Sequence, residues 1–229
     1  MAAHHLLLWD IDGTLLTAGG AGMRALEAAL HERFAVTGSL ADIEFAGRTD
    51  LWIMRQIFAK FGIPATPANF RRLADAYVAV LPAHLADRGV HLLPGVEQIL
   101  EAAAGREDCA VGLLTGNLRQ GAEAKLRSRD LWRHFPFGAF ADDAEEREAL
   151  GPHALRRARE HHGHAFTAAE TWVIGDTPHD IRCARAFGAR ALAVATGRHS
   201  LEELRALRPD AAFASLADAG GFWAAVESA

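Results

Sequence analysis

The stretch LLLWDIDGTLL, residues 6–16, is an apolar run that abruptly carries two aspartates with one isoleucine between them. Four consecutive apolar residues before Asp10 fit a strand buried in a parallel sheet better than a half-exposed one. A carboxylate in apolar surroundings is costly unless it is paired or bound to a cation, so Asp10 and Asp12 require an explanation. In an extended chain, side chains at i and i+2 share a face, and both acids can therefore address one site. Gly13 then permits a tight turn away from the sheet.

Three further apolar runs end in similar chemistry: AVGLLTGN (110–117), TWVIGD (171–176) and ALAVATG (191–197), with a fainter one at FGAF (137–140). Helix-like segments alternate with them, at Pro94–Ala104, Leu118–Ser128, Gly151–His162, Pro178–Phe187 and Leu201–Leu207. Strands alternating with helices predict an α/β fold: a Rossmann-like parallel sheet covered on both faces. From Ala21 to Asp87 the pattern is helical only, as in MRALEAALHERF and ANFRRLADAYVAVLPAHLA. The predicted organisation is a core of residues 1–16 and 90–229 with an α-helical cap, residues 17–89, inserted after the first strand. GGAG (19–22) would be the hinge between them.

Composition narrows the function. The chain has 229 residues, is half hydrophobic, and carries a net charge of −5, which gives no electrostatic reason to expect nucleic acid or an anionic membrane. No run approaches the roughly 20 apolar residues of a membrane helix, and there is no basic n-region of a signal peptide. The two cysteines, Cys109 and Cys183, imply no disulfide framework, and a cytoplasmic setting is expected.

In an open parallel sheet, ligands bind at the carboxyl ends of the strands. Asp10, Asp12, Thr115–Asn117 and Asp176 all fall at such ends. Carboxylates so close repel one another unless a hard cation such as Mg²⁺ is shared among them, together with a substrate phosphate.

DIDGT, LLTGN and GDTPHD, in this order, resemble the motifs of the haloacid dehalogenase superfamily of aspartyl phosphotransferases. The helical insert resembles the cap of its phosphoglycolate-phosphatase-like branch. The resemblance covers nearly the whole chain and implies a Mg²⁺-dependent phosphatase of a small phosphomonoester. It implies Asp10 as nucleophile and Asp12 as general acid and base. Asp10, the backbone carbonyl of Asp12, and Asp176 would hold the metal, with Asp180 orienting its waters. Thr115, Gly116 and Asn117 would cradle phosphoryl oxygens. An acid at position 12 favours phosphoester hydrolysis or phosphomutase chemistry over dehalogenation, because an alkoxide leaving group needs a proton. A monomer or homodimer is expected.

The sequence departs from the family at one point. The lysine that normally precedes a proline at the start of a helix is missing from EREALGPHAL (146–155). The only lysines are Lys60 and Lys125, and Lys125 reads as the middle of another helix. Arg147 is the nearest replacement, with Arg48 and Arg119 behind it. Arg48, in AGRTD (46–50), is also a candidate to meet substrate from the cap, while Thr49 or Asp50 would cap the next helix. The aromatic residues of DLWIMRQIF are expected in the cap core, and HHGH (161–164) as solvated histidines at a helix end. Two alternatives remain open: a sugar phosphomutase, and a phosphometabolite-binding protein whose catalysis lapsed with the lysine.

Overall fold

The computed structural model describes residues 5–228, apart from the side chain of Arg88; residues 1–4 and 229 of the expected core lie outside it. Six parallel strands form the main sheet: β1 (His5–Trp9), β4 (Cys109–Leu114), β5 (Gly138–Ala139), β6 (Thr171–Gly175), β7 (Arg190–Val194) and β8 (Ala211–Phe213). Their spatial order is β5-β4-β1-β6-β7-β8. After β1 the chain builds outward through β4 to β5, then crosses back and builds the other way from β6. The reversal leaves a crevice at the carboxyl end of β1, where ligands bind in such sheets.

β1 is apolar from Leu6 to Trp9 because both of its faces are covered. Leu6 and Leu8 enter the apolar cluster on one side of the sheet, and Leu7 and Trp9 the cluster on the other. Trp9 stacks on Phe222 with ring centroids 5.8 Å apart. The helices on these faces are α4 (Val96–Ala104), α5 (Arg119–Arg127), α6 (Gly151–His162), α7 (Pro178–Ala186), α8 (Leu201–Ala206) and α9 (Ala219–Glu227).

The segment between the first two sheet strands is helical, with α1 (Ala21–Phe34), α2 (Asp50–Phe61) and α3 (Pro67–Arg88). Its two ends are tied by a short antiparallel ribbon, β2 (Leu16–Thr17) against β3 (His91–Leu92), pairing Leu16 with Leu92 and Thr17 with His91. Thr49 caps α2 by accepting from Trp52 N–H, and Gly62 ends it in the left-handed conformation. Buried Phe58, Leu73 and Leu85 belong to the same apolar cluster as Leu7 and Trp9, so apolar packing runs unbroken from one sheet face into the helical segment. Among the described residues, no helix is long and apolar enough to cross a membrane.

Among the strands and α-helices, β2, β3, β8 and α9 escaped the sequence reading. The ribbon has only two residues per strand, too few for any periodicity. β8 has three residues, AAF. α9, AGGFWAAVE, contains a glycine pair that reads as a loop. HHGH lies at a helix end with His161 and His162 exposed, as expected, and its rings also make local contacts. Gly163 ends α6, His161 and His162 pack their rings on Phe137, and His162 also meets Phe166 edge-on.

Phe58 is fully buried between Phe34 and Phe70, at centroid distances of 5.8 and 5.0 Å. Phe58→Ala is expected to cost about 3–5 kcal/mol through lost transfer energy and the cavity left behind. Urea denaturation followed by circular dichroism checks this, and a loss under about 1 kcal/mol would show that the site collapses around the gap.

Candidate active site

The site begins where β1 stops. Asp10 N–H still donates to Ile174 on β6, at 2.9 Å, so the Asp10 backbone is held by the sheet. Gly13 turns the chain with φ of 85°, a conformation favouring glycine, and a Cβ there would collide with the Asp176 carboxylate. Thr14 of the same turn donates its hydroxyl to Asp176 Oδ1 at 3.2 Å. The DGT sequence therefore serves the acid on β6 as well as those on β1.

The two aspartates of the opening motif lie in different surroundings. Asp10 is 4% exposed, whereas the Asp12 side chain is 43% exposed. Carboxylate oxygens of Asp10, Asp176 and Asp180 all lie within 4.8 Å of one another. Arg147 reaches this cluster from the turn before α6. Its Nη2 is 2.9 Å from Asp10 Oδ1 and 2.5 Å from Asp180 Oδ1, and its side chain is 3% exposed. Asp180 also holds the start of α7. Its Oδ2 accepts from the N–H and hydroxyl of Thr177, forming the capping box of that helix.

One cation does not balance this cluster. Burial pushes the Asp10 carboxyl up to about 6, with Arg147 opposing. Burial, then the charges of Asp180 and Asp10, push Asp176 up to about 8. Hard carboxylate oxygens converging in a buried pocket, and holding protons for want of positive charge, fit a divalent cation such as Mg²⁺ or Mn²⁺. Asp10 and Asp176 are the acids that would hold it. Asp180 is engaged by Arg147 and Thr177.

The other half of the site is built on β4 and α5. Thr115 is buried, and its hydroxyl oxygen accepts from Asn117 Nδ2 at 2.9 Å. The same Nδ2 donates to Asp12 Oδ2 at 2.9 Å. Lys125 closes the group, its Nζ 2.6 Å from Asp12 Oδ2 and 2.6 Å from Asn117 Oδ1. Lys125 lies within a helix, as expected, but its ammonium reaches Asp12, which its place in the helix did not indicate. Gly121, Ala122, Lys125 and Leu126 form the buried face of α5. A lysine inside an apolar stripe, in a chain with two lysines, was the available signal.

The helical segment meets this half directly. Asp50 N–H donates to Gly116 C=O at 2.7 Å, and Asp50 Oδ2 accepts from Leu118 N–H at 2.7 Å. Gly116 has no room for a Cβ, which would strike the Arg48 carbonyl. Asp50 is more than part of a helix start. It is buried, and desolvation raises its carboxyl to about 6 while the charge of Lys125 pulls the other way. Arg48 borders the cavity, but its guanidinium pairs with Glu44 at 2.6 Å and stacks 4.2 Å above Trp52. Trp52 is thus a platform for Arg48 rather than a fully buried core residue. Arg119 is also turned elsewhere, over Trp132 and Phe140. A cavity of about 380 Å³ joins the two halves, reaching from Asp10, Asp12 and Asp176 to Met23, Phe45 and Tyr77.

A family model described as haloacid dehalogenase-like hydrolase matches residues 7–185. The chain belongs to that family. Two curated members resemble it along most of their length. "Probable phosphatase IndB" of Dickeya dadantii (strain 3937) is 26% identical, with 89% of this chain and 86% of the relative aligned. A phosphoglycolate phosphatase of Aliivibrio fischeri (strain ATCC 700601 / ES114) is also 26% identical, over 90% of each chain. The fold matches that of CbbY from Rhodobacter sphaeroides, solved in complex with phosphate, with a TM-score of 0.75 at 19% identity over 95% of this chain and 96% of that one.

The acid cluster makes the stability of this haloacid dehalogenase-like hydrolase depend on pH. With no cation bound, Asp10 and Asp176 titrate above their ordinary value of 3.8, at about 6 and about 8. The folded chain therefore holds more protons than the unfolded chain between those limits, and stability falls as pH rises through the window. The melting temperature of chelator-treated protein is expected to drop between pH 5 and pH 8.5, and added Mg²⁺ to raise it more at pH 8.5 than at pH 5. A metal-free melting temperature that rises across the same range would contradict the proposed protonation.

Proposed function

We propose that this chain, a phosphatase of the haloacid dehalogenase-like family, hydrolyses a small phosphorylated metabolite through an aspartyl-phosphate on Asp10, with Mg²⁺ as its cofactor. The observation that carries the reading is the division of labour between the two motif acids. Asp10 is buried against Arg147 and the other carboxylates, while Asp12 lies at the cavity, half exposed, beside Lys125 and Asn117. A nucleophile needs the first environment and a proton carrier the second.

In this reading an Asp10 oxygen attacks phosphorus, and the bond to the leaving oxygen breaks as Asp12 supplies its proton. Asp12 then takes a proton from water as that water attacks the aspartyl-phosphate, releasing phosphate and restoring both acids. Arg147 neutralises charge on Asp10 and the phosphoryl oxygens, the work the family gives to its lysine. The N–H groups after Thr115 and the Thr115 hydroxyl face the phosphoryl group in this scheme, and helices α1–α3 act as a lid over the leaving group. Mg²⁺, held by Asp10, the backbone carbonyl of Asp12, and Asp176, would supply the remaining positive charge for phosphoryl transfer. The name of the Aliivibrio fischeri relative makes phosphoglycolate the first compound to try. A cytoplasmic setting accords with the two free cysteines.

Phosphate release from a broad phosphoester panel with Mg²⁺ tests the proposal, and absence of turnover across the panel would sink it. Asp10→Asn is expected to abolish turnover while leaving the melting temperature unchanged or higher, since it removes one of several repelling acids. Near-normal phosphate release from that variant would rule out the covalent step. Arg147→Ala is expected to lower kcat by roughly 10²-fold or more, with a stability loss of about 3–5 kcal/mol from uncompensated buried carboxylates. Arg147→Lys should recover only part of the rate, because its stem and head-group geometry differ from those that place the Arg147 Nη2 against both Asp10 and Asp180. Unchanged kinetics in Arg147→Ala would remove Arg147 from the mechanism.

A further inference from the structure

The site contains two buried cations, and each is placed on a different acid of the DIDGT motif. Arg147 contacts Asp10 and Asp180. Lys125 contacts Asp12 and Asn117, both at 2.6 Å, and its side chain is 6% exposed. No ion pair joins Lys125 to Asp10 among the described residues. Asn117 completes a closed triangle, accepting from Lys125 through Oδ1 and donating to Asp12 through Nδ2 at 2.9 Å.

We propose that Lys125 is a positioning residue for leaving-group protonation, a role that rests on the phosphatase reading above. Its ammonium and the Asn117 amide grip the same oxygen, Oδ2 of Asp12. Fixing one oxygen on the α5 side leaves the other free to meet the leaving oxygen. It also keeps the Asp12 carboxylate apart from the acid cluster around Arg147. Asp12 is 43% exposed and has little packing of its own to choose a rotamer, so this grip sets where its proton is delivered. The charge of Lys125 is also felt by Asp50, whose N–H and carboxylate bind the loop holding Gly116 and Leu118. The proton carrier and the docking point of the lid thus share one cation.

Leaving-group dependence separates this role from its rivals. p-Nitrophenolate departs readily without a proton, whereas an alkoxide does not. The ratio kcat/KM reports the steps up to departure of the alcohol, so proton delivery to the leaving group enters it only where a proton is needed. Lys125→Met, which keeps the length of the stem, is expected to lower kcat/KM by about 10-fold or more for the best alkyl phosphate of the panel, and by under about 3-fold for p-nitrophenyl phosphate. Asp12→Asn should show the same selectivity, and adding Lys125→Met to it should cost little further, because both act on one event. Equal losses on the two esters would overturn the proposal and place Lys125 on the phosphoryl group. No loss on either would reduce Lys125 to a structural residue. If Lys125→Met does not fold, Lys125→Arg carries the test: a smaller loss biased toward the alkyl ester is expected, and an unbiased one overturns the proposal. A wild-type enzyme that releases no phosphate from either ester would instead sink the phosphatase reading, and this role with it.

Discussion

Burying several carboxylates in one small volume is unfavourable, and this chain does so with Asp10, Asp176 and Asp180 at the end of its central strand. Much of the local structure answers that cost. Arg147 is brought under Asp10 by the turn before α6, Thr14 donates to Asp176, and Thr177 donates to Asp180 while capping α7. The compensation stays incomplete: burial, then the neighbouring acids, raise the Asp10 and Asp176 carboxyls above their ordinary range. An under-neutralised cluster is poised to accept positive charge, and a phosphoryl-transfer site requires that property. The rigidity of β1, paired on both edges and packed on both faces, keeps the acids from relaxing apart.

Much of this could be read from the sequence, because strand-end acids are a local pattern. The apolar runs identified β1, β4, β6 and β7, and most of the polar residues at their ends, Asp10, Asp12, Asn117 and Asp176, line one cavity. Arg147 could be selected because it stands a few residues before a proline-started helix, and its guanidinium lies against Asp10. Lys125 could not be selected that way. Its partner Asp12 is 113 residues away in sequence, and a lysine in a helix ordinarily reads as a solvated charge. Asp50 was hidden differently, since a polar residue at a helix start has a complete local explanation in capping. Arg48, expected from its position to meet substrate, borders the cavity while its side chain pairs with Glu44 and stacks on Trp52. What a local pattern cannot convey is which of several nearby partners a long side chain takes.

The contact between the helical segment and the loop after β4 is made largely by the main chain. Asp50 N–H meets Gly116 C=O, the Arg48 carbonyl occupies the space where a residue-116 side chain would lie, and the Asp50 carboxylate joins by accepting from Leu118 N–H. Backbone atoms are the same in every residue, so docking of this kind survives replacement of the cavity-facing side chains around it. Met23 and Phe45, partly buried where they line the cavity, stand outside that main-chain contact. The fold thereby separates the main-chain contact that seats the segment from side chains that line the cavity. Under the proposed function, the helical segment would stay seated through atoms every residue possesses, leaving the cavity-lining side chains to set what fits.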